Sequence, residues 1–341
     1  NTARLWNATT GEQIVVYRGH EGPVWSAAFS PQGDLVVTTS KDNTAQLWDT
    51  KTGRRRAVLS GHREAVVSAA FSPDGARVVT ASNDNTSRLW DARTGEALAV
   101  LSGHNGGVQF VTFSPDGGTI VTAAGDDTTT LWDATTSEAQ VSFHGKNRDI
   151  GLAAFSPDRR MLVTVSEDFT GRIWDLSKHK ESAVLRGHTD AVVTAAFSPD
   201  GSKVVTASED NTARLWHSDT GELLAVLRGH EHWLYAAAFS PDGNRIVTVS
   251  DDFTARLWDA NTGEELVALH GHESAVVSAA FSPDGTKVVT SSWDKTARIW
   301  DVPRSEQELI DLARKRVHRS LTSDERRRFF LSADETAKVG S

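Results

Sequence analysis

Residues 61–91 read Gly-His-Arg-Glu-Ala-Val-Val-Ser-Ala-Ala-Phe-Ser-Pro-Asp-Gly-Ala-Arg-Val-Val-Thr-Ala-Ser-Asn-Asp-Asn-Thr-Ser-Arg-Leu-Trp-Asp. The apolar run Val66–Phe71 ends at Ser72-Pro73-Asp74-Gly75, a turn signal between two strands. A second run, Arg77–Ser82, ends in the tight turn Asn83-Asp84-Asn85. A third, 86–90, stops at Asp91 ahead of a Thr94-Gly95 turn, and a short run at 56–59 precedes Gly61-His62. Four short strands with three turns make one antiparallel sheet. Such a sheet cannot bury both faces alone, so neighbours must stack around an axis.

The neighbours are present. Trp6, Trp48, Trp90, Trp132, Trp174, Trp216, Trp258 and Trp300 each follow Leu or Ile at a constant interval of 42 residues. The Gly-His pairs keep the same step at His20, His62, His104, His188, His230 and His272, with Lys146 where the fourth histidine should stand. A period of 42 lies in the range of four-stranded propeller blades.

Composition narrows the function classes. Hydrophobic residues at 38% and charged residues at 24% of 341 are ordinary for a globular protein with a full core. The formal charge of −9 argues against non-specific nucleic-acid binding, which needs clustered Lys and Arg. No apolar run approaches a membrane span of about 20 residues. Zero cysteine removes disulfides and thiolate metal sites and suits the cytoplasm. The chain opens Asn1-Thr2-Ala3 without Met, so residues 1–11 are expected to be the leftover strand of a preceding repeat.

The recurring Gly-His, Phe-Ser-Pro-Asp-Gly, Ser-x-Asp-x-Thr and Leu-Trp-Asp elements resemble the WD-repeat family over residues 12–301. The resemblance implies an all-β, seven-bladed WD-repeat propeller. In that family the first strand of each unit is the outer strand of the blade before it. Strand 13–17 is therefore expected to join the last blade (276–300) and close the ring. Thr2–Trp6, nearly a copy of Thr296 to Trp300, is then expected to be displaced from the third-strand slot.

Histidine, serine, aspartate and tryptophan recur at fixed offsets: His20, Ser40, Asp42, Trp48; His62, Ser82, Asp84, Trp90; His188, Ser208, Asp210, Trp216; His230, Ser250, Asp252, Trp258; His272, Ser292, Asp294, Trp300. A Ser/His/Asp set invites a hydrolase reading, but seven copies cannot all be active sites. The resemblance implies a structural network in each blade. Asp would accept from the His ring, His would reach the Ser hydroxyl, and Ser would reach the indole N–H. On that reading Ala124 and Lys146 cut the relay in units three and four, with Asp168 pairing with Lys146. Those two units would be the weakest. Unit five ends Trp216-His217, a change expected to do little harm. No metal, catalytic or cofactor site is expected.

Recognition in this family resembles a rim supplied by positions three and five after the histidine and by the residue before the tight-turn Asp. Those columns vary here, as binding positions on a repeat scaffold do. They place Trp25, Trp233, Tyr235 and Trp293 in units one, six and seven, neighbours if the ring closes. Asp251, Glu209 and Glu167 form an acidic arc beside them, with Asp149, Lys41 and Gln109 elsewhere on the rim. Phe169 and Phe253 could extend the patch. The partner expected is a protein or peptide with apolar and Lys or Arg residues, bound by a propeller that is monomeric as a domain. The alternatives are an enzyme or small-molecule propeller using the central channel, and a plain spacer.

Residues 302–341 read as a helical tail. Ser305-Glu306-Gln307-Glu308 and Thr322-Ser323-Asp324-Glu325 are capping boxes. The segment holds nine basic and seven acidic side chains, leaving −11 for the rest. It resembles the end of bacterial multidomain signalling proteins in which a propeller follows an NTPase, kinase or protease domain. The expected role is the non-catalytic recognition module of such a signalling or defence protein.

Overall fold

The computed structural model describes residues 1–144 and 150–302. Every described element is a strand. A hairpin of β1 (Thr2–Trp6) and β2 (Gln13–Arg18) comes first. Blade one follows as β3 (Val24–Phe29), β4 (Leu35–Ser40), β5 (Ala45–Asp49) and β6 (Arg55–Leu59). Blade two is β7 (Val66–Phe71), β8 (Arg77–Ser82), β9 (Thr86–Asp91) and β10 (Ala97–Ser102). Blade three is β11 (Val108–Phe113), β12 (Thr119–Ala124), β13 (Thr128–Asp133) and β14 (Ala139–His144). Blade four is β15 (Ile150–Phe155), β16 (Met161–Ser166), β17 (Gly171–Asp175) and β18 (Lys180–Leu185). Blade five is β19 (Val192–Phe197), β20 (Lys203–Ser208), β21 (Thr212–His217) and β22 (Leu223–Arg228). Blade six is β23 (Leu234–Phe239), β24 (Arg245–Ser250), β25 (Ala255–Asp259) and β26 (Glu265–Leu269). Blade seven has β27 (Val276–Phe281), β28 (Lys287–Ser292) and β29 (Ala297–Asp301). The fold is a seven-bladed β-propeller.

The local chemistry repeats with the period. After each Phe-Ser the chain turns back. In blade two Gly75 adopts φ 72° and donates its N–H to the Ser72 carbonyl at 2.8 Å. Asp74 accepts the amide of Ala76 at 3.0 Å. The second hairpin turns on Asn85, also left-handed at φ 68°, a conformation asparagine tolerates well. Register then sets the faces. Val36 lies opposite Trp48, and Val37 opposite Leu47.

Those two faces build the joints between blades. Val37, Leu47 and Leu59 of blade one form one buried cluster with Val66, Val78 and Trp90 of blade two. The same set recurs where Val205, Leu215 and Leu227 meet Trp258. Burying one such indole is worth on the order of 4 kcal/mol of transfer free energy, so the joints carry much of the stability.

The two ends depart from the closure expected above. Strand β2 pairs antiparallel with β1, Ala3 opposite Tyr17 and Leu5 opposite Val15. Blade seven is three-stranded among the described residues. Residues 2–6 are thus a paired strand, and strand 13–17 is not the outer strand of blade seven. The physical reason is locality. A turn over residues 7–12 joins β1 to β2, held by Asn7 N–H to the Glu12 carbonyl and Gly11 N–H to the Asn7 carbonyl, both at 2.8 Å. Pairing β2 with β29 would instead close a loop of hundreds of residues. The hairpin packs Ala3, Leu5, Val15 and Tyr17 over Val36 and Trp48 of blade one. Lys146, Asp149 and the tail from 303 onward lie outside the described residues.

Candidate recognition surface

Six blades bury one polar relay each, and its geometry corrects the reading above at one position. The hydroxyl that joins histidine to tryptophan belongs to a threonine two residues before the serine. His20 Nε2 lies 2.8 Å from Thr38 Oγ1, and the Trp48 indole N–H donates to the same oxygen at 2.8 Å. In blade two His62 Nε2 is 2.8 Å and the Trp90 nitrogen 2.9 Å from Thr80 Oγ1. The same arrangement holds at His188, Thr206, Trp216, at His230, Thr248, Trp258, and at His272, Thr290, Trp300. Pairing explains the shift, because Thr38 stands opposite Gln46, diagonal to Trp48 on one face of the sheet.

The serine does other work. Ser82 Oγ accepts the amide of Asp84 at 3.1 Å and donates to the Glu64 carbonyl at 3.0 Å, pinning the tight turn. Ala124 therefore leaves the relay whole: His104 and Trp132 meet Thr122 at 2.7 and 2.8 Å. The expectation of a cut relay in unit three is overturned.

Histidine's other nitrogen faces the tight-turn aspartate. The Nδ1 to carboxylate distances are 2.8 Å at Asp42, 3.0 Å at Asp84, 2.8 Å at Asp210, 2.7 Å at Asp252 and 2.7 Å at Asp294. One proton assignment uses every atom. The indole donates to threonine, threonine donates to Nε2, and Nδ1–H donates to the carboxylate. The threonines at the centre of these relays, Thr38, Thr80, Thr206, Thr248 and Thr290, are fully buried. Burial pushes the His62 ring below its ordinary pKa despite the Asp84 hydrogen bond. Burial alone would raise Asp84, but Thr86, the Arg63 amide and His62 outweigh it and hold the carboxyl at about 2.

In unit four the described partner of Asp168 is Arg172, whose guanidinium reaches it at 2.6 Å and also meets Glu181 at 2.9 Å. Trp174 keeps its bond to Thr164 at 2.9 Å.

The rim is assembled by a repeated backbone contact. The residue before the tight-turn Asp donates its N–H to the carbonyl three after the histidine: Lys41 to Pro23 at 2.9 Å, Glu209 to Ala191 at 2.9 Å, Asp251 to Trp233 at 2.9 Å and Trp293 to Ala275 at 3.0 Å. This brings the variable columns together on one edge of each blade. Tyr235 then links blades six and seven. Its ring meets Trp293 edge-on at 5.6 Å between centroids, and its hydroxyl donates to Asp251 at 3.2 Å. Trp233 and Trp293 stand 51% and 62% exposed on either side.

The carboxylates continue the surface. Burial, then Asp190, then Glu167 raise the Glu209 carboxyl. Burial, Asp251 and Glu209 raise the Tyr235 phenol. Glu167, Asp190, Glu209, Asp251, Tyr235 and Trp293 are thus electrostatically or sterically continuous across blades four to seven. Asp190 was missed because it stands two after the histidine, a column the sequence reading left out. Trp25 is exposed. Lys41 is exposed, and Gln109 donates to Asn83 at 3.2 Å. Among the described residues no cluster of His, Asp and Glu could hold a metal ion, and no helix is long and apolar enough to cross a membrane.

Phe169 and Phe253 carry a further signal. Both occupy the left-handed turn position at φ 68° and 69°, where other repeats use Asn43, Asn85 or Asn211, and both are exposed. A bulky side chain there costs about 1 kcal/mol or more without gaining burial.

The model of the WD domain, G-beta repeat, matches residues 11–49, 53–91, 95–133, 137–175, 179–217, 221–259 and 263–301. The chain belongs to the WD-repeat family. Each match begins just before an outer strand and ends on the residue after the tryptophan, the last of the following third strand. WD propellers are generally protein-interaction scaffolds, and the relay described above is the internal frame of each repeat. A search of curated proteins finds no match.

Proposed function

We propose that this WD propeller is a non-catalytic recognition module that binds a protein or peptide segment presenting Lys or Arg beside an apolar side chain. The binding surface is the rim of blades five to seven. The observation that carries the reading is the exposed pair Trp233 and Trp293 around the Tyr235–Asp251 hydrogen bond, flanked by Glu209. Exposed indoles and a phenol offer large apolar area at low entropic cost. An ammonium or guanidinium seated there would meet aromatic faces and carboxylates together. The Glu209 carboxyl, raised by burial and then by the nearby Asp190 and Glu167, supports this, since a bound cation would meet several carboxylates there. Phe169 and Phe253 extend the apolar area at a cost in turn energy. We further propose that the module serves a larger bacterial signalling or defence protein and works in the cytoplasm. The evenness of the repeats and the absence of cysteine support this.

The test is capture on an array of synthetic peptides in which Lys, Arg, Leu and Phe positions are permuted. Wild type should select basic-apolar sequences, and Glu209→Gln should lose at least tenfold in signal on them. Equal selection of acidic and basic peptides would reject the reading.

A further inference from the structure

Within each blade the turns after the first and third strands lie at the opposite end from the tight-turn aspartate. At that end a cationic side chain crosses between blades two and three. The Arg77 guanidinium donates to the Ala134 carbonyl and, at 3.0 Å, to the Gly117 carbonyl, and it lies over the Phe113 ring at 5.5 Å. Lys203 crosses between blades five and six in the same way, donating to the Ala260 carbonyl at 2.7 Å. The column that holds them reads Leu35, Arg77, Thr119, Met161, Lys203, Arg245 and Lys287. Threonine is its shortest member. At Thr119, between blades three and four, a cleft of about 300 Å³ opens, a volume at the lower end of small-molecule sites.

Three residues lining the cleft stand in the columns of Arg77's partners: Phe155 for Phe113, Arg159 for Gly117 and Leu176 for Ala134. The backbone repeats with them. Leu176 N–H donates to the Arg160 carbonyl at 2.9 Å, as Ala134 N–H does to the Gly118 carbonyl at 3.0 Å. Arg159 takes φ 64° where Gly117 takes 73°. The cleft thus repeats the acceptors and the ring that hold Arg77, beside a side chain too short to use them. It adds charge of the right sign. Asp158 lines it and, among the described residues, accepts only neutral donors, the Ser156 hydroxyl at 2.7 Å and the Arg160 amide at 3.0 Å. The Arg159 guanidinium is itself bound by Asp116. We propose that this cleft binds a small molecule that ends in a guanidinium or primary ammonium group and has the size of free arginine or lysine. The cationic end takes the Leu176 and Arg159 carbonyls and the Phe155 face as Arg77 takes their counterparts, and Asp158 balances its charge. The site is separate from the aromatic rim, which lies at the tight-turn end of the blades.

The experiment is calorimetric titration of the full chain with L-arginine, L-lysine and L-citrulline, the uncharged analogue of arginine. Wild type should bind the two cations with Kd below about 1 mM, and citrulline at least about tenfold more weakly. Asp158→Asn should weaken arginine binding about tenfold with its melting temperature unchanged. Thr119→Arg supplies the cation from the chain itself, so it should lose arginine binding and melt above wild type. The Trp233→Ala/Trp293→Ala variant should bind arginine unchanged. No binding of arginine or lysine at millimolar concentration overturns the proposal, as does citrulline binding equal to arginine. So does an unaffected Asp158→Asn, or a Thr119→Arg that binds as wild type does or melts below it. Loss of arginine binding in the tryptophan variant places the site on the rim and rejects the cleft.

Discussion

At the scale of single residues, the relay makes one threonine oxygen answer for two buried groups. Thr80→Val keeps the shape but strands the Trp90 N–H and the His62 Nε2, at an expected cost of about 3 kcal/mol in denaturant unfolding. Ser82→Ala should cost roughly 1 kcal/mol, because it loosens only the turn. Equal costs, or a larger one for the serine, would contradict the assignment. The same relay sets a pH dependence. Burial depresses the pKa of His62 and of His104 in the folded state. As pH falls through about 6.5, the unfolded chain takes up protons that the folded chain refuses, so stability falls. Asp84, held at about 2, adds a second loss as pH falls from about 4 towards 2. The urea midpoint should therefore be flat above neutrality and decline in two stages below it. A midpoint that rises between pH 7 and 5 would be incompatible. The sequence exposed the columns of this network, but the threonine stayed hidden. Ser40 and Thr38 share a face, and the one signal was that threonine fills its column in all seven repeats whereas Ala124 breaks the serine column.

At the scale of elements, the turns show where stability is given up for surface. Phe253 holds a left-handed turn that asparagine adopts easily. In blades one and five that asparagine also bonds across to the next blade, Asn43 to the Arg63 carbonyl at 3.1 Å and Asn211 to the Glu231 carbonyl at 3.2 Å. Phe253→Asn should therefore raise stability by about 1 kcal/mol while weakening peptide capture. Loss of stability in this variant would remove the strain argument. Blade four shows a different exchange, a buried arginine bound to the tight-turn aspartate. This substitution was illegible beforehand, since arginine fills the same column in blades two, five, six and seven as Arg88, Arg214, Arg256 and Arg298. Blade three, with its relay intact, should show amide exchange as slow as blade two.

At the scale of the molecule, the seven evenly spaced units from Gly-His or Gly-Lys to Trp were enough to read seven blades, because each unit repeats one pattern of turns and faces. The ends resisted the same logic. Thr2–Trp6 and 296–300 are near copies, and sequence likeness does not choose between them. A short turn gave β1 its partner. The rim was half legible: its columns were readable, and the coupling of Tyr235 to both Trp293 and Asp251 needed the fold. The central claim is that this rim recognises and the relay supports. Calorimetric titration of one selected basic-apolar peptide into wild type, a Trp233→Ala/Trp293→Ala double variant and Thr80→Val tests it most directly. The account predicts that the double variant loses about 30-fold or more in affinity, roughly 2 kcal/mol, with its melting temperature unchanged. Thr80→Val should melt lower and bind as wild type does. Unaltered affinity in the double variant, or lost affinity in well-folded Thr80→Val, would contradict it.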